Sequence, residues 1–415
     1  MFGARDRPIN RTVDDLIRSE FGPQVGLLRR RLLRRLVKAQ WHHRPVIPPV
    51  TSLELFVSED CNLRCDYCFI RNKGPQHMPM ETLRASVDLL MRLSADANSL
   101  MVVFFGGEPL LNWDCVEEGA AYIAALGRKH NKEFVVNLTT NGTLLTPQRI
   151  EFIRQAGLHL MLSVDGTPEA HNRHRHFPDG SPSYAAVVRY LPQLLEYFPD
   201  LPLRITVHPD SVDQLSEGVL HLASQGGRYF VICVGQGTKW SLEQGQELHR
   251  QFRTLIPIAL RGGPLGVPLN IHLIACDPFA GWGCRAGRGF LTVGANGEIG
   301  PCSTLMGIDD LRRAFVMGNV RDGVLDLWRW RAFLGLNRHR LNSCPACDFS
   351  RWCWGGCIPS NYWVTGHMLR PAPCECFSAR VMFAARDVFR RLARAQVAAM
   401  SEEESEGDAA RLAAS

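Results

Sequence analysis

Six short apolar runs, separated by stretches of helical periodicity, set the first limit on what this chain can fold into. They are LELFVSE (53–59), LMVVFFGG (100–107), FVVNLTT (134–140), LHLMLSVDG (158–166), LPLRITVH (201–208) and RYFVICVG (228–235). Helical patterns open between them near Pro79, Trp113, Thr146, Ser183 and Ser211, several on the Pro, Ser or Thr that suits a first turn. Such alternation predicts a parallel α/β sheet, because parallel neighbours need a crossover connection. Polar motifs fall where strands end, FFGGEP at 104–109, TTNG at 139–142 and SVDG at 163–166. They therefore share one rim, which favours a partial (β/α)6 barrel of TIM type over a doubly wound sheet.

After Gly235 the pattern changes. Residues 241–261 read as a helix, 262–268 as a Gly/Pro linker and 276–376 as cysteine-dense and loop-rich, with a last helix expected over about 378–399. The expected units are a basic N-terminal extension with an amphipathic helix (1–50), the barrel (51–235), a linker and helix (236–275), a cysteine-rich, loop-rich domain (276–377), and a C-terminal helix with an acidic tail (378–415).

No apolar run is long enough to span a bilayer and no hydrophobic signal core stands near residue 1, so a cytoplasmic location is expected. In a reducing compartment, 14 cysteines at close spacings point to metal binding before disulfides. The isolated Cys115 and Cys233 read as small buried hydrophobes. Residues 1–50 carry eleven Lys/Arg against four Asp/Glu, so the chain's net charge of +6 sits at that end. No broad basic surface follows, and nucleic acid is not an expected partner. Within 25–41, Arg30, Arg31, Arg34, Arg35 and Lys38 fall on one half of a helical projection, with Leu28, Leu32, Leu33, Leu36 and Val37 on the other. That is a helix docked on the barrel with a solvated basic face, or a dock for an acidic peptide or anionic surface.

CNLRCDYCF (61–69) places three cysteines as C-x3-C-x2-C straight after the first strand. A four-iron cube normally takes four thiolates, so three leave one iron open for a substrate or cosubstrate. A zinc site would need a fourth ligand, for which His77 is the only close candidate.

The run resembles the cluster motif of the radical SAM superfamily. That resemblance implies that Cys61, Cys65 and Cys68 hold a [4Fe–4S] cube whose open iron takes S-adenosylmethionine. One electron then cleaves the sulfonium to a 5′-deoxyadenosyl radical, which the protein aims and shields. It implies further that Gly106, Gly107 and Glu108 meet the methionine amine, and that Asn141, Ser163 and Asp165 belong to the cosubstrate rim, the last two facing ribose and carboxylate. Arg175, in HNRHR, would pair with the carboxylate, a bidentate task suited to Arg, and Tyr67 would lie by the adenine.

Further on, Cys284, Gly297 and Cys302 follow C-x12-G-x4-C, while Cys344, Cys347, Cys353 and Cys357 follow C-x2-C-x5-C-x3-C. This resembles the SPASM domain and implies two auxiliary [4Fe–4S] clusters, three clusters in all. Cys276, Cys284, Cys302 and Cys357 would hold one. Cys344, Cys347, Cys353 and either Cys374 or Cys376 would hold the other. A zinc ribbon over 344–357 is the competing reading, since thiolate spacing alone does not name a metal.

Radical SAM/SPASM proteins mostly modify peptides or proteins, by crosslinking or by oxidising a sulfatase Cys or Ser. The sulfatase-maturing branch usually carries Asp after the G-x4-C cysteine, where Ser303 stands here. Asp277 is the candidate base, with a helix or turn cap as its plainer reading. The expectation is an oxidative peptide- or protein-modifying radical enzyme, supplied with electrons by flavodoxin or ferredoxin. Sulfatase maturation or small-molecule oxidation is the alternative, and an electron-carrying or zinc-binding scaffold the non-enzymatic one.

Overall fold

The structure is a computed structural model that describes residues 47–71, 73–261, 269–271, 284–335, 347 and 355–381, with 384, 385, 387, 388, 390–392 and 394 beyond them. The amphipathic basic helix, the 262–268 linker, the acidic tail, Cys276, Asp277, Cys344 and Cys353 lie outside the described residues.

All six apolar runs are strands: β1 (Ser52–Ser58), β2 (Ser99–Gly106), β3 (Glu133–Thr140), β4 (His159–Ser163), β5 (Pro202–Val207) and β6 (Tyr229–Val234). They lie side by side in chain order, all parallel, as an open barrel wall. A short β7 (Asn270–Ile271) extends the β6 edge in the same sense.

The opposite edge departs from a purely loop-rich expectation. β8 (Phe290–Val293) pairs parallel with β1, and β9 (Glu298–Gly300), β10 (Gly318–Asn319) and β11 (Val324–Leu325) return antiparallel from it. The cysteine-rich segment thus continues the barrel sheet, to eleven strands among the described residues. Runs of two to four residues carry no readable period-2 signal, so this edge is invisible in the sequence.

Strands on both flanks bury every residue of β1. Alternation sends Leu53, Leu55 and Val57 into the main core, while Glu54 faces the barrel interior. On the outer side, the helix Met80–Leu93 buries Leu83, Val87 and Leu90, one stripe at helical spacing. Each of these contributes about 1.5–3 kcal/mol by leaving water.

Helix starts follow local chemistry. The Thr146 hydroxyl accepts the Arg149 N–H at 3.3 Å, ahead of the helix Pro147–Gln155. Thr167 does the same for Ala170 at 3.2 Å, opening a helix over Pro168–His174. That second helix ends at Arg175, whose extended backbone turns its side chain back toward the strand ends. The helix Leu242–Arg261 lies where one is expected, and the last helix has begun by residue 373. Among the described residues no helix is long and apolar enough to cross a membrane.

Candidate active site

The C-terminal ends of β1, β2 and β3 converge on the three-cysteine loop. Asp60 starts the loop by accepting the Cys61 N–H on its carboxylate at 2.7 Å. The Gly107 N–H donates to the Ser58 carbonyl and the Glu108 N–H to the Asp60 carbonyl, both at 2.8 Å, clamping the end of β2 against the loop. A Cβ on Gly106 would sit 2.2 Å from the Ser58 carbonyl oxygen, and one on Gly107 2.1 Å from that of Asp60, so glycine is required at both. From the end of β3, Asn141 donates to the Asn62 side chain at 3.0 Å and stands 3.8 Å from Cys61 Sγ.

Burial pushes the Cys61 thiol up to about 12, with the nearby Glu108 adding to it, and burial raises Cys65 as well. These thiols stay protonated until positive charge arrives, which a metal supplies. A single tetrahedral zinc would hold sulfurs about 3.8 Å apart. Among the described residues the group with three donors mutually within 4.8 Å lies elsewhere and contains no cysteine. These three thiols do not form such a group, which a single zinc would need. His77, the fourth ligand a zinc reading needs, is exposed and bridged to Ser58, off the cavity wall.

Glu108 is almost fully buried at the end of β2. Its carboxylate accepts the Leu110 N–H at 3.0 Å, the Thr140 hydroxyl at 2.7 Å and the Asn141 N–H at 2.8 Å. Burial raises it to about 7 against those hydrogen bonds. It binds the ends of β2 and β3 together while lining the cavity.

At the next strand ends the structure gives Asp165 a different part from the one expected. Asp165 is saturated by protein donors: Arg175 Nε at 2.7 Å and Nη2 at 3.2 Å, the Thr206 N–H at 2.8 Å, and the Tyr67 hydroxyl. It stands behind the cavity wall, whereas Ser163, Tyr67 and Arg175 line it. Asp165 therefore positions Arg175 and has no oxygen to spare for a ribose. Burial works to raise the Asp165 carboxyl, but the Arg175 guanidinium outweighs it and holds it below the usual range. The same guanidinium lies 5.3 Å from the Tyr67 ring centre.

His171 escapes the motif reading. It is fully buried, its Nδ1 accepts the Asp165 N–H at 3.1 Å, and its Nε2 meets Ser183 Oγ at 3.0 Å. Ser183 in turn donates to the Arg175 carbonyl at 2.8 Å. Burial, aided by Arg175, lowers His171 to about 3, so it is the neutral tautomer carrying its proton on Nε2.

The three cluster thiols and this rim open on one cavity of about 450 Å³, within the range of small-molecule sites. Its remaining wall includes Glu54, Arg204, Thr206, Cys233, Ser303 and Thr304. Glu54, Arg204 and Thr206 occupy alternate, inward strand positions, a signal present in the sequence at the spacing of two. Burial raises Glu54 to about 7. Cys233 is half-buried on this wall instead of in the core, whereas Cys115 is a core residue as expected.

Of the later cysteines, Cys284, Cys302 and Cys357 gather close enough for their charges to interact. Burial drives Cys302 up to about 12 and raises Cys357 well above its ordinary value as well. Cys302 immediately precedes Ser303 and Thr304, so this group adjoins the cavity. Cys347 lies 4.0 Å from the Arg380 guanidinium. Residues 373–381 are helical, which puts Cys376 on the face of Arg380, four residues on, while Cys374 is buried and bonded to Ser360.

The superfamily model for Radical SAM matches residues 55–223, and that for the SPASM iron-sulfur cluster-binding domain matches 284–348. An uncharacterized protein of Methanocaldococcus jannaschii is 30% identical over 44% of this chain, a match that spans only 61% of that relative. An AdoMet-dependent heme synthase of Methanosarcina barkeri is 26% identical over 75% of this chain and 92% of its own. A PqqA peptide cyclase of Xanthomonas campestris is 26% identical over 75% and 82%. The solved structure of native anSMEcpe with bound AdoMet and the Cp18Cys peptide shares the fold, with a TM-score of 0.67 at 20% identity over 84% of this chain and 99% of that one. Three thiols at an open cavity and a second thiol group beside it are what such cofactors require: the chain belongs to the radical SAM superfamily and carries a SPASM domain, an enzyme of [4Fe–4S] clusters and S-adenosylmethionine.

Proposed function

We propose that this enzyme oxidatively modifies a peptide or protein, forming a crosslink or oxidising a side chain. One observation carries the reading: the radical-site thiols and the residues next to Cys302 line the same cavity, so a substrate there faces both cofactor regions. The kinship with a PqqA peptide cyclase supports the substrate class. When bound, the cluster at Cys61, Cys65 and Cys68 supplies one electron to S-adenosylmethionine for reductive cleavage. The chain's own residues do the rest. Gly106, Gly107 and Glu108 let the methionine end approach backbone, Asn141 steadies the loop at Cys61, and Ser163 with Arg175 lines the cosubstrate wall. Asp165 and His171 hold Arg175 in place, and Tyr67 closes that wall.

Cys276, Cys284, Cys302 and Cys357 form the first auxiliary ligand set in this reading. Cys344, Cys347, Cys353 and Cys376 form the second, with Cys376 preferred over Cys374 because it shares a helix face with Arg380, beside Cys347. Two such clusters give the second electron of a net oxidation somewhere to go. Asp277 remains the candidate base, a flavodoxin or ferredoxin the electron donor, and the cytoplasm the working compartment. The test is anaerobic co-expression with a candidate precursor peptide, followed by mass spectrometry. Loss of two hydrogens per modification is expected. An unmodified peptide, with formylglycine formed on a sulfatase instead, would transfer the assignment to sulfatase maturation.

A further inference from the structure

The geometry points to a separate divalent metal site, suited to zinc, at His174, His208 and Asp210 on the outer side of the Tyr67 wall. One imidazole nitrogen from each histidine and a carboxylate oxygen of Asp210 lie within 4.8 Å of one another. The two imidazole rings are 4.3 Å apart at 49°, and His208 Nδ1 already touches the Asp210 carboxylate. The three residues come from two segments, the end of the helix Pro168–His174 and the turn after β5.

The second observation is independent of that clustering. His174 is 4% exposed, yet neither ring nitrogen makes a hydrogen bond. A buried, unsatisfied polar group costs about 1–3 kcal/mol, and a metal ion in this position would satisfy it. Asp66 Oδ2 stands 3.5 Å from His174 Nδ1, too far for a good hydrogen bond but placed as the outer carboxylate that commonly orients a ligating histidine. Its other oxygen is 3.2 Å from His176 Nε2.

Imidazole and carboxylate donors without thiolate select a borderline divalent ion over an iron–sulfur cluster. Tetrahedral ligation would set the donors about 3.3 Å apart, and the exposed Asp210 can swing back by side-chain rotation from the His208 nitrogen that it touches to make room for the ion. Two carboxylates, Asp210 and Asp66, face the site. Arg173 is the nearby cation, its guanidinium spent on the Asp210 carbonyl. An ion here would also brace the cluster loop. The Arg64 N–H donates to the His176 carbonyl at 2.9 Å and the Asp66 N–H to that of His174 at 3.1 Å, so the loop and the site move together.

The test uses full-length, anaerobically cluster-reconstituted protein exposed to zinc and desalted over a weak chelator, with zinc, iron and sulfide measured per chain. Wild type is expected to retain about one more zinc than a His174→Gln, His208→Gln double variant, with equal iron and sulfide. Zinc held in cysteine sites is common to both and cancels. Asp210→Asn, an exposed change that leaves the buried rings intact, is expected to weaken zinc retention at least tenfold. Equal zinc retention by wild type and Asp210→Asn would overturn the site, whatever the double variant does.

Discussion

Replacing Asp165 by Asn removes a charge from a pair whose two members are each more than nine-tenths buried. The carboxylate receives the Arg175 fork at 2.7 and 3.2 Å, the Thr206 N–H at 2.8 Å and the Tyr67 hydroxyl. An amide keeps one oxygen and turns an NH2 toward a position now served by a donor. Arg175 is left as an uncompensated buried cation, a loss of about 3–5 kcal/mol. The assay is equilibrium urea unfolding under anaerobic conditions, read as a shift in midpoint at constant slope. Exchanging both partners for apolar residues, Asp165→Leu with Arg175→Met, should recover much of that stability while abolishing S-adenosylmethionine cleavage, because the desolvation penalty vanishes with the pair. The sign against pH follows from the lowered Asp165 carboxyl. Its stabilisation is complete above the usual carboxylate range and lost only as pH falls through the lowered value. The gap between wild type and Asp165→Asn should therefore be flat from about pH 6 to 9. A loss under about 1 kcal/mol, or a gap that closes on the alkaline side, would refute the reasoning.

A Cys61→Ala, Cys65→Ala, Cys68→Ala variant should stop reductive release of 5′-deoxyadenosine yet keep about eight of roughly twelve irons, since the auxiliary ligands lie more than two hundred residues on. Undiminished release would contradict that assignment. Gly107→Ala puts a Cβ 2.1 Å from a backbone oxygen that cannot rotate away, and is expected to lower iron by about four per chain; an unchanged iron assay would show that the β2 end is free to move. His171, lowered to about 3, gives stability that is whole above its unfolded value and lost as pH falls below it. Between pH 7.5 and 5.5 wild type should lose about 1.4 kcal/mol from this group that His171→Asn, which offers Oδ1 in place of Nδ1, does not; parallel urea midpoints across that range would remove the claim.

Much of the fold was legible because the information is local. LELFVSE and RYFVICVG are strands wherever a sheet exists to receive them, Thr146 caps the turn that follows it, and C-x3-C-x2-C holds three thiols in one loop through its own spacing. Strand order in a run of βα units follows from connection length, so the convergence of GGE, TTNG and SVDG on one rim was also within the sequence's reach.

What the sequence could not decide depends on contacts between distant segments. β8 to β11 exist as strands because β1 has an open edge for them, and two to four residues have no pattern of their own. Asp165 sits two residues beyond a cavity-lining serine, yet Arg175, Thr206 and Tyr67 close on its carboxylate from three elements and withdraw it from the cavity. Cys233 reaches the cavity because the pleat of β6 turns it there, where isolation in sequence suggested core. His174, His208 and Asp210 meet because the helix after β4 ends beside the turn after β5. Periodicity and spacing act over a few residues, whereas the partner of a buried charge or an unsatisfied imidazole is chosen by which segments the packed sheet brings within about 3 Å.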